Sequence, residues 1–257
     1  MCSDDQSSSL GYVDLPGGWT VGRIPLLHNL PTIRHAISTR VGPHGGDLHG
    51  GSPTGLANRL GLVAAMGLEQ CAALKQVHGG RVVDADLALA GLVEADGLMT
   101  AREGVGLLGL SADCPIILVA DVVRGAVGMA HASWRGTVAR ITAELVRSMC
   151  REYRCEPGDM QAGICPSAGA CCYEVREDVV SAARQTLGPG ADGFFCRRQG
   201  RTYMDLWRAN VAQLTEQGVS EHNIAVAGVC TICDSHFFSY RREGDKAGRF
   251  GCIIARA

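Results

Sequence analysis

Runs of apolar residues divide this chain into segments of two kinds. Short continuous runs at 105–110, 115–120 and 126–130 predict buried β-strands, because a strand covered on both faces has no polar side. The period then changes to steps of three and four, which predicts an amphipathic helix through Val138, Ile141, Leu145 and Met149. The middle of the chain is therefore expected to form three strands followed by a helix.

Strand and helix patterns are also mixed along the rest of the chain. Further strands are predicted at 33–40, at 73–83 with an interruption at 78–80, and at 224–229, 237–241 and 250–255. Further helices are predicted at 58–69, 175–187 and 205–217, and residues 17–20 predict a hairpin within a loosely patterned segment, 1–30. Because strands and helices do not alternate strictly, the pattern favours an α+β fold, a single domain over 1–257 with mixed β-sheets flanked by helices.

Composition narrows the class of partner. Apolar residues make up 46% of the 257 residues and the net charge is −2, which is typical of a globular protein and unlike a nucleic-acid binder. The first nine residues are polar and acidic, so no secretory signal is predicted there. The longest apolar tract, 104–120, is short for a membrane span and carries Asp113. We expect a cytoplasmic protein that binds small molecules, with no nucleic-acid or membrane partner.

The twelve cysteines are expected to be reduced thiols in such a compartment. Cys171 and Cys172 are adjacent, and Cys230 and Cys233 form a CxxC unit. A zinc finger needs a second CxxC unit at finger spacing, and a redox CxxC motif is expected at the start of a helix, yet neither pattern is present. These four cysteines are therefore expected to be structural thiols.

Candidate chemistry centres on His78, Cys114 and His131, each of which lies where an apolar strand meets a turn rich in glycine or proline. Two imidazoles and a thiolate are a ligand set that catalytic zinc prefers, with a fourth position open for water. The three are 36 and 17 residues apart, so the fold must assemble any site. Taken alone, a histidine or cysteine in such a position is more often a structural residue than a metal ligand. The other histidines, including His44 and His49, are expected to be solvated or structural.

The segments around these residues resemble the YfiH/laccase-domain family. The resemblance covers nearly the whole chain, and the matching blocks are 75–79, 95–100, 112–115, 131–136, 172–175 and 238–242. It implies a YfiH-like fold with a metal triad at His78, Cys114 and His131. One departure is Ser133, which stands where the family usually has glycine.

The resemblance also implies an activity. It implies a zinc-dependent purine nucleoside enzyme that phosphorolyses adenosine, inosine, guanosine or methylthioadenosine and deaminates adenosine. In that chemistry Cys114 is a metal ligand and catalytic residue, and a carboxylate moves the proton, with Asp113 as first candidate and Asp96 as second. Arg40 and Arg249 are the candidates for holding phosphate, since arginine offers a bidentate fork.

Three alternatives stay open. The same soft donors could hold copper in a laccase-like polyphenol oxidase, although the chain has no His-x-His pairs. Cys114 could instead be the nucleophile, and His131 the base, of a hydrolase or editing factor acting on peptidoglycan precursors. The third alternative is a zinc-stabilised binding protein without turnover. Neither the preferred purine nor the oligomeric state follows from the sequence.

Overall fold

Across residues 10–51 and 53–257, which the computed structural model describes, the strands form three sheets. The first sheet has the spatial order β1 (Gly11–Leu15), β2 (Trp19–Arg23), β3 (Ile33–Ser38), β15 (Phe250–Arg256), β7 (Val105–Ser111) and β4 (Gln70–Ala73). The second has the order β14 (Ile224–Val226), β10 (Met160–Ile164), β8 (Ile116–Asp121), β9 (Val127–His131), β6 (Gly97–Thr100) and β5 (Val82–Asp84). The third and smallest has the order β11 (Glu174–Val175), β13 (Arg201–Met204) and β12 (Phe195–Arg198).

Both large sheets are mixed. Pairing in the first is antiparallel except between β4 and β7, and the second contains two parallel pairs, β5 with β6 and β10 with β14. The helices are α1 (Pro25–His28), α2 (Pro53–Ala65), α3 (Ala85–Ala90), α4 (Trp134–Val138), α5 (Ile141–Tyr153), α6 (Glu177–Leu187), α7 (Leu206–Glu216) and α8 (Tyr240–Glu243). This arrangement confirms the predicted α+β class with mixed sheets.

Alternation along β8 explains how the layers stack. Side chains of successive residues point to opposite faces of a strand. Ile116 and Leu118 enter the core between the two large sheets, where they join residues of the first sheet such as Leu107. Ile117 and Val119 face the other way and pack with α5 and α7. All six residues of β8 are buried, which accounts for the continuous apolar run.

The outer face of the first sheet is covered by α2. Leu62 and Val63 of this helix pack with Trp19 and Ile253 in a separate core cluster. The order of layers is therefore helix, sheet, sheet, helix. Within the described ranges, no helix combines the length and apolarity that a membrane crossing requires.

Two of the predicted strands are wrong, and side-chain hydrogen bonds explain the first. The strand predicted at 73–83 stops at Ala73 and resumes at Val82. Between them, Gln76 hydrogen-bonds the amide and the carbonyl of Leu110, each at 2.9 Å. The carboxylate of Asp96 accepts the next three backbone N–H groups. These contacts satisfy the backbone without a strand ladder.

The second wrong strand is 237–241. Phe237 and Phe238 are buried, as the apolar pattern suggests, but Ser239 then accepts a hydrogen bond from the backbone N–H of Arg242 at 3.2 Å and caps α8.

The boundaries of the other predicted elements shift by a few residues. The largest of these shifts is in the helix predicted at 58–69, which runs from Pro53 to Ala65. The predicted hairpin near 17–20 is confirmed as β1 and β2.

Candidate active site

Two loops and one strand end bring His78, Cys114 and His131 together. His78 lies in the loop between β4 and β5, Cys114 in the turn between β7 and β8, and His131 at the end of β9. Their possible ligand atoms lie within 4.8 Å of one another. The two imidazole rings are 4.9 Å apart, centroid to centroid, in an edge-on arrangement. The fold thus assembles the three residues that ligand chemistry selects from the sequence.

Asp96 fixes the orientation of two of these residues. Its carboxylate is fully buried and lies 2.8 Å from Nδ1 of His131, whose proton it accepts. That hydrogen bond leaves Nε2 of the ring to face Cys114. The same carboxylate accepts the backbone N–H groups of His78 at 3.0 Å and Gly79 at 2.7 Å. Burial opposes ionisation of Asp96, but these hydrogen bonds outweigh it and lower the pKa.

The backbone on both sides of the site is held in unusual conformations. His78 has φ of 61° and Asp113 has φ of 95°, in a region that residues other than glycine seldom occupy. The hydroxyl of Ser111 donates to the carbonyl of Cys114 at 2.6 Å and closes the turn. Strained backbone of this kind concentrates at functional sites, where the surrounding contacts enforce it.

The charges of Cys114 and His131 support each other. Burial opposes a charged thiolate, but the charge of His131 and hydrogen bonds from both histidines lower the pKa of Cys114 to about 6. Burial likewise opposes a charged imidazole, but the thiolate of Cys114 and the carboxylate of Asp96 raise the pKa of His131 to about 9. Near neutral pH, the metal-free protein therefore favours a thiolate beside an imidazolium.

These donors fit a metal ion of intermediate softness. One thiolate and two imidazoles leave room for a fourth ligand, which is the pattern of catalytic rather than structural zinc sites. The hydrogen bond from His131 to Asp96 is the outer contact that such ligands usually make. The set could hold a metal ion, and its chemistry suits zinc or copper.

The triad opens into a pocket of about 590 Å³, a size usual for small-molecule sites. Three arginines line it, together with aromatic and polar residues from distant parts of the chain: His49, Arg59, Gln76, Ser111, Asp113, Tyr173, Tyr240, Arg241 and Arg249. His49, expected to be solvated or structural, thus belongs to the pocket wall. Neither it nor Arg59 and Arg241 were among the predicted binding residues.

Contacts with backbone carbonyls or an aromatic ring hold the three arginines in place. Arg249 donates from Nη1 to the carbonyls of Ala247 at 2.7 Å and Gly248 at 2.9 Å. Arg59, on α2, donates from Nε to the carbonyl of Leu48 at 2.8 Å. Arg241 lies against the ring of Tyr173, with 5.2 Å between the guanidinium carbon and the ring centroid. The result is a cationic wall in a protein of net negative charge.

The other predicted phosphate ligand, Arg40, does not lie on the pocket wall. Its guanidinium pairs with Glu243 and donates from Nε to the carbonyl of Phe237 at 3.3 Å. The guanidinium carbon also lies over the ring of Phe238, 4.2 Å from the ring centroid. These contacts join Arg40 to the segment before α8 and to the last residue of that helix. Of the two predicted phosphate ligands, the structure places Arg249 in the pocket lining and Arg40 outside it.

Asp113 lines the pocket, yet both of its carboxylate oxygens already have partners. One accepts from the hydroxyl of Thr231 and the other from the backbone N–H of Arg241, each at 2.7 Å. These contacts hold the segment that carries Arg241 beside the metal triad.

Ser133, the departure from the family pattern, caps α4 by accepting from the backbone N–H of Gly136 at 3.1 Å.

Two stacked mixed sheets with this pocket at their edge define a laccase-domain protein. The family is the one described as "Multi-copper polyphenol oxidoreductase laccase", whose model matches residues 46–257, and the chain belongs to it. Among solved structures, YlmD from Geobacillus stearothermophilus superposes with a TM-score of 0.86 at 28% identity, over 97% of this chain and 99% of that one. YfiH from Bacillus licheniformis gives 0.85 at 26%, over 96% and 99%.

Relatives similar in sequence carry enzyme names. A protein of Deinococcus radiodurans named purine nucleoside phosphorylase is 38% identical over 91% of this chain and 94% of its own length. A protein of an unknown prokaryotic organism named adenosine deaminase RL5 is 34% identical over 74% of this chain and 78% of its own length.

Proposed function

We propose that this protein is a zinc-dependent purine nucleoside enzyme that phosphorolyses adenosine, inosine, guanosine or methylthioadenosine and deaminates adenosine. The observation that carries the proposal is a metal-ligand triad and a cationic wall in one pocket. The names of the relatives from Deinococcus radiodurans and the unknown prokaryote support the two activities.

Phosphorolysis forms a bond between a phosphate oxygen and the ribose C1′ and breaks the C1′–N9 bond, whose electron pair leaves with the purine. The pocket must therefore hold an anion and offset charge that develops in the transition state. Arg249, Arg59 and Arg241 provide that function, because a fixed guanidinium binds two phosphate oxygens at once.

The purine itself needs an apolar surface. Tyr173 lines the pocket, and burial together with the nearby Cys114 raises the pKa of its hydroxyl to about 12. The side chain is therefore neutral at physiological pH and offers a ring face and a hydrogen-bond donor. We therefore assign Tyr173 to binding the purine base.

Deamination exchanges the adenine amine for a water oxygen and releases ammonia. A zinc ion held by His78, Cys114 and His131 supplies the Lewis acid for such a step. Asp96 holds His131 with its Nε2 toward the site, and Asp113 is the carboxylate on the pocket wall that is available to carry a proton. Since Asp113 is already bound to Thr231 and Arg241, that role requires one of those hydrogen bonds to open.

A nucleoside panel with and without phosphate tests the proposal directly. Free base that appears only with phosphate demonstrates phosphorolysis, and ammonia released without phosphate demonstrates deamination. Zinc removal by a chelator and its replacement should abolish and restore the deamination. Zinc-loaded protein with neither activity on any purine nucleoside would refute the proposal.

Arg249→Ala should weaken phosphorolysis about ten- to a hundredfold, because a charge-assisted contact is worth roughly 1.5–3 kcal/mol. Deamination should change little, since it needs no anion. Arg34→Ala is the matched control: Arg34 also donates from Nη1 to two backbone carbonyls, those of Met66 and Gly67, but it lies outside the pocket lining. Equal loss of both activities in Arg249→Ala would indicate a structural arginine instead.

A cysteine hydrolase is the second candidate, and the lowered pKa of Cys114 beside His131 favours it. The two candidates differ in how zinc affects them. A thiolate nucleophile is blocked when zinc occupies it, so hydrolysis should rise on chelation and fall with added zinc. The purine activities should respond in the opposite direction.

Copper oxidation is the third candidate, favoured by the description of the family. Against it, the described residues contain only two groups of possible ligands that could hold a metal ion, and one of them consists of cysteines alone. A multicopper enzyme needs several histidine-rich centres. Copper-loaded protein that oxidises phenols faster than the zinc form turns over nucleosides would favour this reading.

A further inference from the structure

A second cluster of possible metal ligands lies outside the pocket. Cys171 and Cys172 follow β10, and Cys230 and Cys233 follow β14. All four sulfur atoms lie within 4.8 Å of one another. The sequence predicts unrelated structural thiols here, because the CxxC unit has no second unit at finger spacing. The fold supplies the missing pair as two adjacent cysteines almost sixty residues earlier in the chain.

We infer that Cys171, Cys172, Cys230 and Cys233 bind a second zinc ion as a closed tetrathiolate site. In a tetrahedral site with zinc–sulfur bonds of about 2.3 Å, the sulfur atoms lie about 3.8 Å apart. The sulfur of Cys233 lies 3.3 Å from that of Cys172 and 3.8 Å from that of Cys171. A disulfide bond would need a separation of about 2.05 Å. The four sulfurs are thus spaced for a common ion.

The backbone around Cys230 prepares its sulfur for ligation. The amide of Gly169 donates to it at 3.3 Å, and the amides of Ile232 and Cys233 also hydrogen-bond it. Donors of this kind stabilise a thiolate. Glycine at 169 permits the close approach, because a Cβ there would lie 3.2 Å from Cβ of Cys230 and 3.3 Å from the sulfur of Cys171.

Nearby arginines offset the charge of such a site. Four thiolates around a divalent ion carry a net charge of about −2. Arg198 donates to the carbonyl of Cys171 at 2.9 Å, on one of the two segments. Arg242 donates to the carbonyls of Thr231 at 2.7 Å and Ile232 at 3.1 Å, on the other. Each segment therefore has a guanidinium fixed to the backbone beside its cysteines.

The site is structural, because four protein ligands leave no open position. It joins two segments that both contact Asp113: the carbonyl of Asp113 accepts from the amide of Ala168, and its carboxylate accepts from the hydroxyl of Thr231. Asp113 precedes Cys114 in the chain, so the second zinc would hold the outer wall of the pocket in place. This is a role separate from that of the first triad.

Metal content separates the two sites. The chain of 257 residues, purified with reductant and added zinc, is expected to carry two zinc ions. A Cys230→Ser/Cys233→Ser variant and a Cys114→Ser variant should each carry one. Cys150→Ser, which alters a partly buried thiol of α5 outside both groups, should keep two. Unchanged zinc content in Cys230→Ser/Cys233→Ser would overturn the inference.

Cobalt provides a readout that does not depend on how well that double variant folds. Cobalt-substituted Cys114→Ser protein should show the strong absorption of a tetrahedral tetrathiolate, and its four cluster thiols should resist alkylation until a chelator is added. Alkylation is mapped by mass spectrometry of the digested chain. Folded Cys114→Ser protein that binds no cobalt, or that contains a disulfide between any two of the four cysteines under reducing conditions, would refute the second site. If only the first site were wrongly assigned, Cys114→Ser would leave the zinc content unchanged, and the cobalt and alkylation results at the four cysteines would stay as expected.

Discussion

Replacing Asp96 by asparagine should loosen the first metal site without removing a ligand. The carboxylate accepts four hydrogen bonds: from Nδ1 of His131 at 2.8 Å and from the backbone N–H groups of Val77, His78 and Gly79 at 3.2, 3.0 and 2.7 Å. Asparagine has one acceptor oxygen and one amino group. In either orientation, its amino group faces two of the four donors, so two hydrogen bonds are lost.

The size of the effect follows from those contacts. Hydrogen bonds to a charged group contribute about 1.5–3 kcal/mol each, which sets an upper bound of about 3–6 kcal/mol on the loss in free energy of unfolding. The loss of zinc affinity is smaller, because His78 and His131 remain and only their orientation is freed. Outer contacts of metal ligands typically contribute ten- to a hundredfold in affinity. We expect a loss of that size at the first site.

Asp121→Asn is the matched control. Asp121 is also fully buried, and it accepts backbone N–H groups from Val123 at 2.9 Å, Arg124 at 2.6 Å and Glu156 at 3.3 Å, but it is not part of the metal triad. It should lose stability to a similar extent and keep its zinc affinity. The assay is competition for zinc with a chromophoric chelator, well below the unfolding temperature. Both variants also carry Cys230→Ser and Cys233→Ser, so that the second cluster lacks two of its four ligands. If Asp96→Asn binds zinc as tightly as Asp121→Asn, the positioning role of Asp96 is refuted.

Two further predictions concern stability. Burial, Arg23 and His28 lower the pKa of His35 to about 3 in the folded chain, whereas its pKa in the unfolded chain is about 6.5. Between these two pH values the unfolded chain binds a proton that the folded chain does not. The contribution of His35 to the free energy of unfolding is therefore complete above pH 6.5 and is lost as the pH falls toward 3. Denaturant unfolding at pH 7 and pH 5 should show about 2 kcal/mol less acid loss in His35→Gln than in the wild type, and an identical loss would contradict this origin. Gly46→Ala should lower the stability of the fold far more than Gly45→Ala. Both glycines have φ near +70°, a conformation that costs an alanine about 1–2 kcal/mol. At position 46 the new Cβ would in addition lie 2.1 Å from the carbonyl oxygen of Thr39, whereas at position 45 it would meet no atom within 4 Å. Thermal unfolding checks the pair, and equal midpoints would show that the loop relaxes.

The grouping of His78, Cys114 and His131 could be anticipated because, in the sequence, each lies between an apolar run and a turn, and the family resemblance selected the same three. The strand-end position itself holds only for His131, since His78 lies in the loop between β4 and β5 and Cys114 in the turn between β7 and β8. The α+β class could also be predicted, since continuous and helical apolar periods can be read directly. Boundaries near the site were less predictable. Gln76 and Asp96 replace a strand ladder with side-chain contacts, which no local pattern encodes.

The cationic wall shows the opposite case. Arg59 lies in the middle of α2, where an arginine is an ordinary helix former, and its place in the pocket depends on how that helix packs on the first sheet. Arg241 was within a recognisable block, but its neighbour Arg242 instead binds carbonyls of the 231–237 segment. Arg40 was in an equally suggestive position and pairs with Glu243. Sequence identified arginines near the site without distinguishing which of them face it.

The position of β15 has a consequence for the order in which the chain can fold. Although it is the last strand along the described chain, it lies between β3 and β7 in the middle of the first sheet. During synthesis, β1, β2 and β3 can therefore join β7 in one sheet only after residues 250–256 have left the ribosome. Among the described strands, β15 is the one that pairs with both β3 and β7. The second sheet has all its strands by Val226 and can close first. Protease treatment of chains arrested before residue 250 should spare the second sheet and cleave the first. The pocket wall includes Arg249, the residue directly before β15, so the pocket is complete only after this strand has paired with β3 and β7.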